Sequence, residues 1–233
     1  MYSISVFFPC YNDAGTIASM VVITIKTLKD VANDYEVIVI DDGSTDNSRE
    51  ILLELQKVYP KLKLVFHKNN IGYGGALISG FKNATKELVF YTDGDAQYDP
   101  SELKILLSKM GKGIDVVNGY KMNRSDPFYR VVIGKAYHCI ARFLFKLKVR
   151  DVDCDFRLIR RDVFNKIKLE STSGVICVEL MKKIQDAGFT ITEVPVHHYY
   201  RVYIGSQFFT IDRIFKAIEG LIRFWWQIKF SKS

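Results

Sequence analysis

Four short apolar runs, each ending in a polar cluster, set the rhythm of the first half of the chain: "SISVFFPCYN" (3–12), "YEVIVIDDGS" (35–44), "KLKLVFHKN" (61–69) and "ELVFYTDGD" (87–95). They are rich in β-branched and aromatic residues, and their apolar character is nearly continuous. That pattern predicts strands buried on both faces. Helical candidates lie between and after them, at 14–29, 46–58, 75–84 and 100–110. Buried strands alternating with helices predict an α/β fold with a mostly parallel central sheet. Ligands of such sheets gather beyond the carboxyl ends of the strands. The clusters Pro9–Asp13, Asp41–Asp46, Asn69–Gly75 and Asp93–Asp99 are therefore expected on one rim.

A different pattern occupies the end of the sequence. Apolar residues at 211, 214, 215, 218, 221, 222 and 225 share one helical face, with Asp212, Lys216, Glu219 and Arg223 opposite. Charge interrupts this segment too often for a membrane span. Trp225 and Trp226, flanked by Lys and Arg, suit an amphipathic helix lying in a membrane interface. Docking on its own domain, or a contact in a homo-oligomer, is the competing use of the same face. The expected organisation is one domain over 1–206, with a nucleotide half (1–118) and an acceptor half (119–206), then a tail over 207–233.

Composition changes this picture in one respect. The 233 residues are 48% hydrophobic and 25% charged, the balance of an ordinary globular protein. The net charge of +7 is uneven, however: residues 120–161 hold eleven Lys/Arg against four acids. A basic second half suits an anionic partner, here a phosphate or an anionic membrane surface in preference to nucleic acid. Cys10, Cys139, Cys154 and Cys177 have no metal-site spacing and read as reduced thiols, Cys10 and Cys177 in the core. With no signal peptide visible, a cytoplasmic location is expected, peripheral at the inner face of the membrane.

Glycine placement excludes two common nucleotide sites. The first strand leads into "PCYND", with no GxGxxG turn, which argues against a dehydrogenase. The one Gly-rich loop, "NIGYGGAL" (70–77), lacks the GK[ST] ending of a phosphate-cradling loop. It reads either as a plain turn before a helix or as a place where backbone approaches a diphosphate or sugar closely.

Three aspartates, Asp93, Asp95 and Asp99, fall within seven residues after a strongly apolar run. Carboxylates crowded in this way raise one another's pKa unless a positive charge sits among them. Oxygen ligands spaced across a glycine, as in Asp93-Gly94-Asp95, suit a hard cation, Mg²⁺ or Mn²⁺. Such an ion keeps positions open for phosphate oxygens.

Seven segments, "PCYND", "DDGSTDNS", "NIGYGGAL", "DGDAQYDP", "DCDFRLIRR", "EVPVHH" and "RVYIGSQFF", occur in an order that resembles glycosyltransferase family 2. The resemblance is strongest to its dolichyl-phosphate mannose synthase and polyprenyl-phosphate glycosyltransferase branch, and it covers nearly the whole chain. It implies a GT-A fold, a nucleotide-sugar donor of the GDP-mannose or UDP-glucose type, a divalent metal, and inversion at the anomeric carbon. By position, Pro9, Tyr11, Asp13 and Asp41 match the pocket for base and ribose, with Asp42 beside it. Asp93 and Asp95 match the metal-bridging DxD pair, with Gly94 between them and Gln97 nearby; Gly74 belongs to the Gly-rich loop. Asp13 stands where Glu is usual, and Tyr73 where a basic residue is common.

The second half would supply the acceptor side. Arg157 matches the family's FR position, with a functional or site-bracing role. A hydroxyl acceptor needs a general base, whereas a phosphate monoester is already ionised. Asp155 and Asp153 are candidates to orient the acceptor or act as base, and Asp151 matches an acid of relatives. Glu179 is the second candidate base, with simple pairing to Lys182 or Lys183 as its other reading. His197 and His198 read as strand residues. A lipid phosphate is the expected acceptor, a sugar or other hydroxyl the alternative. A sugar-nucleotide pyrophosphorylase would need a Gly-rich, Arg-containing loop in place of "PCYND". A processive synthase would need QxxRW, which "RFWWQ" does not supply. A catalytically silent nucleotide-sugar binder would leave the DGD turn unexplained.

Overall fold

The computed structural model describes residues 1–122, 128–200 and 211–230. The first half alternates strand and helix as the apolar runs demand: β1 (Tyr2–Cys10), α1 (Ile17–Val31), β2 (Ala32–Asp41), α2 (Ser48–Val58), β3 (Leu62–Phe66), α3 (Tyr73–Asn83), β4 (Leu88–Thr92) and α4 (Leu103–Lys109). The second half adds β5 (Val116–Lys121), α5 (Phe128–Phe145), β6 (Phe156–Arg160), α6 (Ile176–Asp186), β7 (Ile191–Val196) and α7 (Ile211–Phe230). α3 starts two residues before its predicted boundary, so Tyr73 and Gly74 belong to its first turn.

Seven strands form one sheet in the order β3-β2-β1-β4-β6-β5-β7. Its pairs are parallel except where β6 runs antiparallel to both β4 and β5. Side chains alternate across the sheet, so neighbours on one strand serve opposite cores. Phe7 joins the layer containing α3, α5, α6 and α7, while Val6 and Phe8 join the layer containing α1, α2 and α4. Covering both faces explains why β1 and β4 read as nearly continuous apolar runs.

β6 places the site. Antiparallel pairing sets Thr92 opposite Phe156 and Tyr91 opposite Arg157, so β6 begins where β4 ends. The residues entering β6 therefore arrive on the rim where the parallel strands finish. Cys10, Cys154 and Cys177 are buried and Cys139 is exposed.

The tail departs from its predicted geometry. Its expected start near Gln207 lies outside the described residues. Over the part of α7 where side chains are described, the expected single apolar face is split. Leu221 and Phe224 are buried and Trp225 and Ile228 partly so, with the Phe224 ring stacked 5.1 Å from that of Phe145 on α5. Ile218, Ile222, Trp226 and Phe230 point outward instead. Spacing alone pooled residues 218, 221, 222 and 225, because a periodicity marks apolar positions without saying how many partners share them. No helix among the described residues is long and apolar enough to cross a membrane.

Candidate active site

Register aligns the clusters. Cys10 pairs with Asp41, and Phe7 with Tyr91, which puts Asp93 level with Pro9 on the same rim. Beyond β1 the chain turns sharply through Asn12 (φ 58°). The Asp13 carboxylate accepts the Tyr11 N–H at 3.2 Å, and the Asp13 N–H donates to Ser48 Oγ at 3.1 Å. The DGD turn packs directly beneath. A Cβ on Gly94 would lie 3.1 Å from the Pro9 carbonyl and 3.5 Å from Asp13 Oδ2, so the close approach favours glycine. Thr16 Oγ1 donates to the Gly94 carbonyl at 2.8 Å and fixes the turn.

Asp41 and Asp42 part company. Asp41 is fully buried, pairs with Arg49 and accepts the Ser44 N–H at 3.2 Å. Asp42 accepts the N–H groups of Ile71 (3.0 Å) and Gly72 (2.9 Å) and lies 2.7 Å from His67 Nδ1. Asp42 thus pins the Gly-rich loop to the end of β2. The loop also meets the second half: Gly74 N–H donates to the Thr172 carbonyl at 2.9 Å, and a Cβ at Gly74 would lie 2.1 Å from the Ser171 carbonyl oxygen. Only glycine fits there.

Glu179 supports that contact from below. It is buried on α6, accepts the N–H groups of Glu170 (3.0 Å) and Ser171 (2.8 Å), and pairs with Lys183 at 2.6 Å. Its carboxylate is committed to the loop that touches Gly74. That is the pairing reading, extended to backbone.

The DGD carboxylates are held from three sides. The Tyr73 hydroxyl donates to Asp93 Oδ1 at 2.8 Å. Asp95 Oδ1 accepts the Gln97 N–H at 3.1 Å. The Gln97 carbonyl accepts the Tyr199 N–H at 2.8 Å, tying the turn to the chain beyond β7. Burial pushes the Asp93 carboxyl well above the usual carboxylate range, and Asp155 and Asp95 push it further. Asp13 acts in the same direction. Four carboxylates therefore share one rim.

Arg157 lies behind them, fully buried at the second position of β6. Its guanidinium donates to Asn118 Oδ1 (2.7 Å), the Tyr91 hydroxyl and the Val152 carbonyl, and sits 3.4 Å from Asp155 Oδ1. This is a brace with its donors already engaged. Asp155 also accepts from the Cys177 thiol at 3.1 Å, so both contacts fix one oxygen, Oδ1. Asp153 is half-buried; burial lifts its carboxyl to about 7, with Asp151 and Asp155 adding to the rise while Lys121 and Arg157 oppose it. His197 and His198 follow β7; His198 is buried, with its ring edge-on to Tyr98.

Residues 5–168 match the family described as glycosyl transferase family 2. The chain belongs to that family. This family 2 protein is accordingly a glycosyltransferase. Its fold is similar to that of glucosyl-3-phosphoglycerate synthase from Mycobacterium tuberculosis. Against the complex of that enzyme with UDP the TM-score is 0.72 at 18% identity, over 97% of this chain and 79% of the other. Against its complex with Mn²⁺, UDP and phosphoglyceric acid the TM-score is 0.70 at 19% identity, over 95% and 76%. Against its complex with Mn²⁺, UDP and glucosyl-3-phosphoglycerate the values are 0.69 and 20%, over 95% and 77%. At these identities the likeness is one of fold.

Sequence reasoning reached the family, the rim and the DGD turn. It missed Arg49, His67, Tyr91 and Asn118. Asn118, a lone amide at the end of "DVVN", was the one legible signal, since a buried amide in a strand needs a partner.

Proposed function

We propose that this glycosyltransferase moves a hexosyl group, with inversion, from a nucleoside-diphosphate sugar to a polyprenyl phosphate at the cytoplasmic face of a membrane. The carrying observation is the shared rim, on which the DGD turn packs against Asp13 and the antiparallel register of β4 and β6 brings Asp155 alongside Asp93; carboxylates so crowded call for a cation. The donor set of Asp93 and Asp95 is all oxygen, which fits Mg²⁺ or Mn²⁺. Bound there, the ion would act as a Lewis acid on the leaving diphosphate.

The chain's own residues do the rest. Pro9, Tyr11 and Asp13 border the position for base and ribose, and Asp41 with Arg49 supports that border from beneath. The acceptor oxygen attacks the anomeric carbon as the bond to the diphosphate breaks, and the bonding pair leaves with the diphosphate. A phosphate acceptor brings an ionised oxygen, so no proton has to be removed. Asp155, held by Arg157 and Cys177, would then bound the reaction space. With a hydroxyl acceptor it is the carboxylate placed to take the proton.

The lipid acceptor is favoured by a pair of helices. α5 and α7 pack together through Phe145 and Phe224, and both turn apolar side chains outward: Ile140 and Phe143 on α5, and the 218, 222, 226 and 230 stripe on α7. With eleven Lys/Arg against four acids over residues 120–161, the segment that contains α5, this surface suits an anionic bilayer interface. The deciding experiment incubates the protein and Mn²⁺ with GDP-mannose or UDP-glucose and either polyprenyl phosphate or phosphoglycerate, reading products by mass. A glycosylated polyprenyl phosphate supports the proposal. Transfer to phosphoglycerate alone overturns its lipid part.

A further inference from the structure

We propose that His138, Asp151 and Asp153 form a second divalent-cation site, on the acceptor side and separate from the Asp93–Asp95 pair, taking a transition-series ion such as Mn²⁺. Each residue offers a ligand atom, and these atoms all lie within 4.8 Å of one another. Bonds of about 2.0–2.2 Å place two ligands of one ion at most about 4.4 Å apart, so the side chains would draw in by only a few tenths of an ångström to close around an ion.

Two elements that meet only in the folded chain build the cluster. His138 shares a face of α5 with Ala141 and Phe145, both buried, so its half-buried ring is directed toward the body of the protein. Asp151 and Asp153 lie in the segment entering β6. Asp151 is buried and oriented by two backbone donors: the Lys121 N–H to Oδ2 at 3.3 Å and the Asp153 N–H to Oδ1 at 3.1 Å. The segment is stitched to β5 as well. Asn118 Nδ2 donates to the Asp151 carbonyl at 3.0 Å, and Lys121 Nζ donates to the Asp153 carbonyl at 2.9 Å. Asn118 also accepts from Arg157, so the same frame that braces Asp155 positions this cluster.

Ligand type separates the two sites. Asp93 and Asp95 offer oxygen only, which Mg²⁺ and Mn²⁺ both accept. An imidazole beside two carboxylates favours Mn²⁺, Co²⁺ or Zn²⁺ over Mg²⁺ or Ca²⁺. Three protein ligands leave coordination positions for an outside oxygen. Asp153 is two residues from Asp155, so that oxygen would come from the acceptor, a phosphate or a hydroxyl. The acceptor role rests on the proposed glycosyl transfer; the cation site itself does not.

The test uses the full chain and Mn²⁺ alone, read by pulsed electron paramagnetic resonance, in which a coordinated imidazole imprints nitrogen modulation on the ion. In Asp95→Asn, which weakens the donor-side site, nitrogen-coupled Mn²⁺ should persist. Adding His138→Ala should abolish the modulation and weaken that ion by at least about 10-fold, the lower end of losses seen when metal-site partners are removed. Asp153→Asn, nearly isosteric, should weaken it likewise with an unchanged melting temperature. If Asp95→Asn shows no nitrogen-coupled Mn²⁺, or the signal survives both further variants, the cluster is a histidine–carboxylate pair only and the proposal is wrong. If no donor or acceptor supports transfer yet the nitrogen-coupled ion behaves as described, the reaction assignment falls and the cation site stands.

Discussion

The hydroxyl of Tyr73 lies 2.8 Å from Asp93 Oδ1, joining the Gly-rich loop to the DGD turn. Asp42 holds the residues just before Tyr73 through the N–H groups of Ile71 and Gly72, so the hydroxyl is positioned from β2 while its acceptor is positioned from β4. Tyr73 here serves as a neutral donor to a carboxylate of the proposed metal pair. Tyr73→Phe keeps the ring and removes the bond. Leaving a buried acceptor unsatisfied costs about 1–3 kcal/mol, so kcat/KM should fall ~10-fold, with more Mn²⁺ needed for half-maximal rate. An unchanged Mn²⁺ requirement would show that Tyr73 only packs.

Asp95→Asn preserves shape and removes one negative charge from the proposed metal pair. Turnover should fall at least ~100-fold, the size of a lost transition-state electrostatic contact. Excess chelator should have the same effect on the unaltered protein, and added Mn²⁺ should restore it. Full activity in chelator would take the metal out of the reaction.

How much of this was legible in the sequence depended on the range of the interaction. β1, β2 and β4 announced themselves, because strands covered on both faces carry nearly continuous apolar runs, and the DGD turn followed from its place after such a run. The position of Asp155 opposite Asp93 was not legible. It depends on β6 running antiparallel, and the apolar pattern of "FRLIR" is the same in either direction. Arg157 was recognised by its place in a motif, but its partners Tyr91 and Asn118 come from two other strands, 66 and 39 residues away. Glu179 looked like a helix-surface acid because the loop it holds is distant in neither sequence nor space, yet carries no signal of its own. The two-sided packing of α7 was hidden for a related reason: seven apolar positions do not reveal that one stripe packs toward Phe145 while the other is left about half exposed.

Arg157 tests the distinction between bracing and catalysis. Its planar fork reaches Tyr91, Asn118, Val152 and Asp155 at once, which a lysine ammonium cannot do. Breaking a buried charged network typically costs about 3–5 kcal/mol. Arg157→Lys should therefore lower unfolding free energy in urea by roughly 3 kcal/mol. Loss of transfer with undiminished stability would instead assign it a direct role at the substrate.

Glu36 gives the fold a pH dependence away from the site. Its buried carboxylate accepts from Ser5 Oγ (2.6 Å), from the Thr85 N–H and hydroxyl (both 2.8 Å), and pairs with Lys63. Burial pushes its pKa up, but these partners outweigh burial and hold it below the ordinary value. A carboxylate depressed in the folded state contributes stability above its ordinary value of 4.5 and loses it as pH falls through the lower folded value. Glu36→Gln should be less stable than the unaltered protein by about 2 kcal/mol at pH 7, the scale of charged hydrogen bonds. The gap should shrink below pH ~4, where the carboxylate begins to protonate. A gap independent of pH between 7 and 3 would rule out the linkage.

The two stripes of α7 should fail in different ways. Phe224 is buried against Phe145, so Phe224→Ala should destabilise the protein by about 3–5 kcal/mol, read as a lowered melting temperature. Ile222 and Trp226 are more than half exposed, at 52% and 54%, and their replacement by Asp should leave the melting temperature nearly unchanged. If the outer stripe meets a bilayer, that double variant should lose sedimentation with vesicles containing anionic lipid, because each inserted apolar side chain adds to interfacial binding and each carboxylate opposes it. Transfer to polyprenyl phosphate in vesicles should fall with it, while transfer to the same acceptor dispersed in detergent should persist. Vesicle binding that survives Ile222→Asp with Trp226→Asp would assign the stripe to another surface, and a change in sedimentation velocity of the unaltered protein alone would identify that surface as a second copy of the chain.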